Sequence, residues 1–148
     1  MIYNFWFLIS ADHYPLASER HPLEPAAHMI QPEQVVSIHP YFRVRPGNLA
    51  QAKKLLRQMV AQTSGETANL YYDFTVKEDV VFCREAYLGA EGLLKHIDNV
   101  GAILGEFLKL ADVLRVEVHG TRAHLDRLAG PLADLKPEWY VFECGVSR

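Results

Sequence analysis

His96 and Asn99 lie three residues apart in the stretch HIDNVG, a spacing that turns both side chains to one face of a continuous helix. Histidine titrates near neutrality, so it can take a proton from a phenol or quinol hydroxyl while a neighbouring amide holds the substrate oxygen. A structural reading stays open beside that one, with His96 bonded to a backbone carbonyl and Asn99 capping a break before Gly101. Tyr72 and Phe74 alternate along one strand-like segment, and Phe82 and Arg84 along the next. If the two pairs share a face, they make an aromatic wall with one cation, suited to a planar anionic substrate. In the alternative the phenylalanines are core and Arg84 pairs with a carboxylate such as Glu117. His39 and Tyr41 share a face of an earlier strand, where they line either a pocket or a subunit interface.

Other chemistries find little support. His13, His21 and His28 recur without an acidic partner at ligand spacing, so no metal site is expected. No glycine-rich loop leads from a strand into a helix, which argues against a nucleotide cofactor. Cys83 and Cys144 stand far apart in apolar, strand-like stretches and read as free thiols of a reduced, cytoplasmic protein. A net charge of −3 with interspersed acids and bases gives no general attraction for nucleic acid or anionic lipid. The apolar run Ile2–Ile9 is too short to span a bilayer and lacks the basic lead of a signal peptide.

The elements that would position these side chains follow from periodicity. Residues 1–34 carry Pro15, Pro22, Pro25 and Pro32 and read as an irregular N-terminal arm. That arm is expected to dock through Phe5, Trp6 and Phe7 and to be dispensable for the domain at 35–148. Val35–Val44 alternates, with Ile38, Phe42 and Val44 on one face and His39, Tyr41 and Arg43 on the other. Pro40 inside it implies an edge strand or a bulge. Asn48 is placed to cap a helix whose apolar stripe runs from Leu49 through Leu55, Leu56, Met59 and Val60. Asn69–Val76 and Val80–Leu88 form a hairpin, with Lys77-Glu78-Asp79 as its turn. Gly89–Asp98 and Gly101–Leu110 read as two successive helices and Val113–His119 as a fourth strand. Thr121 opens a short helix to Leu128, and Trp139–Phe142 adds a last strand. The order β-α-β-β-α-β is the split βαβ of a ferredoxin-like α+β sandwich, whose second sheet face needs a cover.

Several stretches carry a resemblance: IHPYFRVRPGNL, NLYYDF, FCREAYL, EGLLKHIDNVG, VLRVEVHG and PLADLKPEWYVF. Together they resemble the antibiotic-biosynthesis-monooxygenase family, and within it the quinol-monooxygenase branch, over about residues 35–143. The resemblance implies a dimeric α+β barrel in which two sheets pack face to face, so the expected partner is a second copy of the chain. It also implies oxidation of a quinol or polycyclic aromatic by molecular oxygen, without metal or flavin. A histidine in the helix that holds His96 recurs in the family pattern. The wider superfamily includes heme-degrading enzymes and proteins with no known activity, so the resemblance specifies the fold more closely than the chemistry.

Three readings of function follow: a cofactor-independent monooxygenase, a dimeric protein that binds a small aromatic without turnover, and a structural dimer with no ligand. An enclosed cavity touching His96, Asn99, Tyr72 and Arg84 separates the first two from the third.

Overall fold

Alternation places the strand β1 (Val35–Val44) at the centre of the fold: Val36, Ile38, Pro40, Phe42 and Val44 are buried on one face. The computed structural model describes residues 29–146, so Phe5, Trp6, Phe7, His13, His21 and His28 lie outside the described residues. β1 pairs antiparallel with both β3 (Val80–Leu88) and β4 (Ala111–Gly120). β3 pairs with β2 (Asn69–Lys77), and the short β5 (Glu138–Val141) runs parallel to β4. The sheet order is β2-β3-β1-β4-β5, the ferredoxin-like α+β arrangement with one added edge strand.

Pro40 therefore stands in a central strand, not at an edge, and the bulge is how the fold accommodates it. The register against β4 shifts between Tyr41 and Phe42, and the pairing with β3 passes from Ile38 to Tyr41 without engaging Pro40. A residue with no N–H cannot complete the ladder, so the strand bends there.

Two helices cover one face of the sheet. α1 (Leu49–Thr63) buries Ala52, Leu55, Leu56 and Met59, while Val60 remains 42% exposed, outside the stripe expected for it. Asn48 precedes α1 without a side-chain cap, its amide turning back to the Pro46 carbonyl at 3.5 Å. α2 (Gly89–Leu108) is one continuous helix where the sequence reads as two, Gly89–Asp98 and Gly101–Leu110. Gly101 and Gly105 have open space beside them, so they weaken the helix without a neighbour to exploit the break. Leu93, Val100 and Phe107, seven residues apart, form its buried stripe, and His96 lies on that stripe. The short α3 (Arg122–Ala129) packs Leu125 and Leu128 beneath the start of β1.

The core is divided. One cluster gathers Val36, Tyr87, Leu93, Val118 and Leu128; the other gathers Phe42, Val44, Met59, Val81 and Phe107. The gap between them is where chemistry can occur.

Candidate active site

A cavity of about 90 Å³ opens between the two clusters, under α2 and over the helix-facing side of the sheet. Ile38, Phe42, Met59, Leu93, Val100 and Val116 make it apolar, and its rim includes the exposed Val113 and Leu135. Four groups bring polarity to this wall: Tyr72, Cys83, Glu85 and His96.

The imidazole of His96 is 3% exposed and clamped from both ends. Its Nδ1 lies 3.0 and 3.1 Å from the two carboxylate oxygens of Glu66, and its Nε2 lies 3.3 Å from Glu85 Oε2. An ionised carboxylate only accepts, so Nδ1 carries the proton and Nε2 is the nitrogen turned toward Glu85. Glu66 reaches this position because the chain turns sharply after α1, the Glu66 N–H donating to the Thr63 carbonyl at 2.9 Å. Asn99, one turn along α2 from His96, donates from Nδ2 to Glu66 Oε1 at 2.6 Å. Gln62 in turn donates to Asn99 Oδ1 at 3.0 Å. The Tyr72 and Tyr87 rings flank the imidazole, each with its centroid 4.8 Å away.

Glu85 is the unusual member. It is 6% exposed, and the Tyr87 hydroxyl donates to its Oε2. Burial pushes its pKa up to about 7, although hydrogen bonds from Tyr87 and Cys83 pull the other way. Burial holds His96 below its ordinary range, against the raising pull of Glu66. The Tyr72 hydroxyl and the Cys83 thiol are both pushed up by burial, so they stay protonated at neutral pH.

No family model matches the chain, and none of the curated proteins matches it. Solved structures do. MupZ from Pseudomonas fluorescens is 37% identical, with 78% of this chain and 95% of MupZ covered at a TM-score of 0.74. Rv0793 from Mycobacterium tuberculosis is 21% identical, with 57% of this chain and 91% of its own covered at a TM-score of 0.51. A structure described as an antibiotic biosynthesis monooxygenase is 16% identical over 56% of this chain and 92% of its own, at a TM-score of 0.50, a likeness of fold. The chain belongs to one family with MupZ, and its fold is that of the structure described as an antibiotic biosynthesis monooxygenase.

Within this family member the expected site residues divide between the two faces of the sheet. Tyr72 pairs with Glu85 and Phe74 with Cys83, so these four share the helix-covered face with His96. Phe82 pairs with Thr75 and Arg84 with Asp73, which puts both on the opposite face. The aromatic wall with one cation is thus not formed. Arg84 is exposed, bonds Asp73 Oδ2 at 2.9 Å and covers the Tyr71 ring at 5.6 Å. Its partner is Asp73, not Glu117, which pairs with Arg115. His39 and Tyr41 lie on that outer face too, against Phe82 at 6.0 and 4.6 Å. Asn99 is near His96 yet reaches Glu66 and does not line the cavity. No break precedes Gly101 for it to cap.

Two members of the site were not read from the sequence. Glu85 had a legible signal: in VVFCREAYL it falls in phase with Val81, Cys83 and Tyr87, a carboxylate on an apolar face. Glu66 had none, since it sits in a polar turn. Of the cysteines, Cys83 is buried as a small apolar residue, whereas Cys144 is exposed beyond β5 and not in a strand. Among the described residues no group of three or more His, Cys, Asp or Glu is arranged to hold a metal ion. No described helix is long and apolar enough to cross a membrane.

Proposed function

We propose that this protein is a monooxygenase acting on a small, uncharged quinol-type aromatic, with His96 as the base that takes the substrate's hydroxyl proton. The observation that carries the reading is the buried imidazole held by Glu66 through Nδ1, with Nε2 beside an apolar cavity. In the reaction the resemblance implies, oxygen reacts with an electron-rich substrate anion. One oxygen atom enters the ring, the other leaves as water, and the substrate supplies all the electrons. A side chain helps by making that anion. When Nε2 takes the proton, the imidazolium formed is stabilised by Glu66 and remains beside the new oxyanion.

Among the described residues the cavity wall includes no lysine or arginine, so a substrate already carrying carboxylate or phosphate finds no counter-charge in them and would meet Glu85. Size points to the same class. A cavity of about 150 Å³ holds a benzene ring, and this one measures about 90 Å³. A single-ring quinol enters only as rim side chains such as Leu108 and Leu135 swing aside, and a polycyclic substrate demands more. Phe74 and Tyr72 supply ring-stacking surface on the β2 side.

Oxygen uptake with a panel of neutral hydroquinones tests the proposal. His96→Ala lowers turnover of an accepted quinol by about a hundredfold to ten-thousandfold, and His96→Gln does nearly the same because it keeps shape and loses the base. Parent-rate oxidation by both folded variants overturns the base assignment. The second reading, binding without turnover, is favoured if the parent protein binds hydroquinones and consumes no oxygen.

A further inference from the structure

Two lone pairs cannot face one another comfortably across a dry 3.3 Å gap, which is the separation of His96 Nε2 and Glu85 Oε2. Because Glu66 already fixes the other ring proton on Nδ1, a hydrogen bond along this line requires one further proton. We infer that Glu85 and His96 share that proton, so that Glu85 governs when Nε2 is free to act, and that Tyr87 positions Glu85 for the exchange. The inference rests on the reading of His96 as the base of the site.

The setting of Glu85 fits this role. From its own strand, Cys83 and Tyr87 turn the same way and the Tyr87 hydroxyl donates to Oε2. From β2, Tyr72 stands directly opposite in the ladder. From α2 comes His96, and from the turn after α1 comes Glu66, the second negative group. β1 offers Ile38 opposite, which does not titrate. No cation is among these neighbours, so an ionised Glu85 has only hydrogen bonds to hold its charge, and burial favours its neutral form.

Three states of the pair follow. With the proton shared, Nε2 is occupied and cannot accept from the substrate. With it lost, Glu85 is an anion, Nε2 has a free lone pair and the site is competent. After substrate deprotonation the imidazolium faces Glu85 as well as Glu66, and the proton can pass to Glu85 Oε2, which returns the pair to the shared state; release of that proton to solvent restores the competent one. No atom is added or lost in this relay; a proton moves from the substrate oxygen to Nε2 and on to Oε2.

The test is nitrogen NMR of the His96 ring in the full chain, followed from pH about 5 to 9, together with the pH dependence of quinol oxidation. In the parent, the Nε2 resonance moves to the position of a free, unprotonated nitrogen across the neutral range, as the shared proton leaves. In Glu85→Gln that step is absent and Nε2 stays at the unprotonated position through neutrality. Tyr87→Phe removes a hydrogen bond to the carboxylate and moves the midpoint to higher pH. An unchanged Nε2 titration in Glu85→Gln overturns the inference; should that variant fail to fold, an unmoved midpoint in Tyr87→Phe does so. The spectra need no substrate, so they fail separately from the monooxygenase reading. In turnover, the parent rate rises about tenfold between pH 6 and 8, and Glu85→Gln flattens that limb.

Discussion

A carboxylic acid buried among Tyr72, Cys83, Tyr87 and His96 affects stability as well as chemistry. In the unfolded chain Glu85 titrates near its ordinary 4.5, and in the folded protein near about 7. Between those values the folded state binds the proton more tightly, so stability falls as pH rises through the window and levels off above it. The difference of two to three pH units amounts to on the order of 3 kcal/mol. Thermal unfolding of the parent should therefore show a melting temperature that declines from pH 5 to pH 8 relative to Glu85→Gln, which has no such group to ionise. Equal pH slopes in the two proteins would mean that Glu85 is not the buried acid. His96 was legible in the sequence because a histidine on an apolar helical stripe is out of place in solvent terms. Arg84 was misplaced because its face depends on the register of the hairpin. The turn is Glu78-Asp79 with Lys77 still paired to Val80, one residue tighter than the composition suggested. A slip of one residue turns every side chain to the other face.

At the scale of elements, α2 holds the site together by pressing His96 between the turn after α1 and the strand β3. Its close approach depends on Gly92, where an added Cβ would meet Ala68 Cβ at 3.0 Å and Tyr87 Cβ at 3.2 Å. Gly101, on the same helix, has nothing within 4 Å of that position. The two glycines look alike in the sequence and act oppositely in the fold. Urea denaturation separates them. Gly101→Ala should raise stability by about 0.5–1 kcal/mol through helix propensity alone. Gly92→Ala should lower it despite the same propensity gain, because the Cβ atoms of Ala68 and Tyr87 give no room. A stabilised Gly92→Ala would show that the helix can lift from the strand at little cost. Strand order, helix positions and the helix-covered core were readable from alternation and 3.6-residue spacing, since both patterns are set by burial of a single face. The cavity was not, because it arises where two separately packed clusters fail to meet.

Among the described residues, one face of the sheet carries no helix. That face, expected to need a cover, is aromatic at the centre and ionic at the sides. Tyr41, Phe82 and His39 cluster on β1 and β3, and His119 stacks on Tyr140 at 4.5 Å. Arg84–Asp73 and Arg115–Glu138 flank them. His39 Nδ1 and His119 Nε2 are buried with no hydrogen-bond partner among the described residues. Aromatic and arginine side chains of this kind are enriched in protein interfaces. We propose that two copies pack these faces together, the arrangement implied by the family resemblance. The flanking charges alternate in sign and can pair with their own symmetry mates. Phe82 belongs to this face and not to the cavity, so replacing it separates association from the site. Phe82→Asp should put an unpaired carboxylate at the centre of the contact and turn a dimer into a monomer at micromolar concentration, read by light scattering. The far-UV spectrum should remain that of the parent, because Phe82 lies outside both core clusters. A parent protein that scatters as a monomer would overturn the dimer, and a Phe82→Asp variant that stays a dimer would place the interface elsewhere.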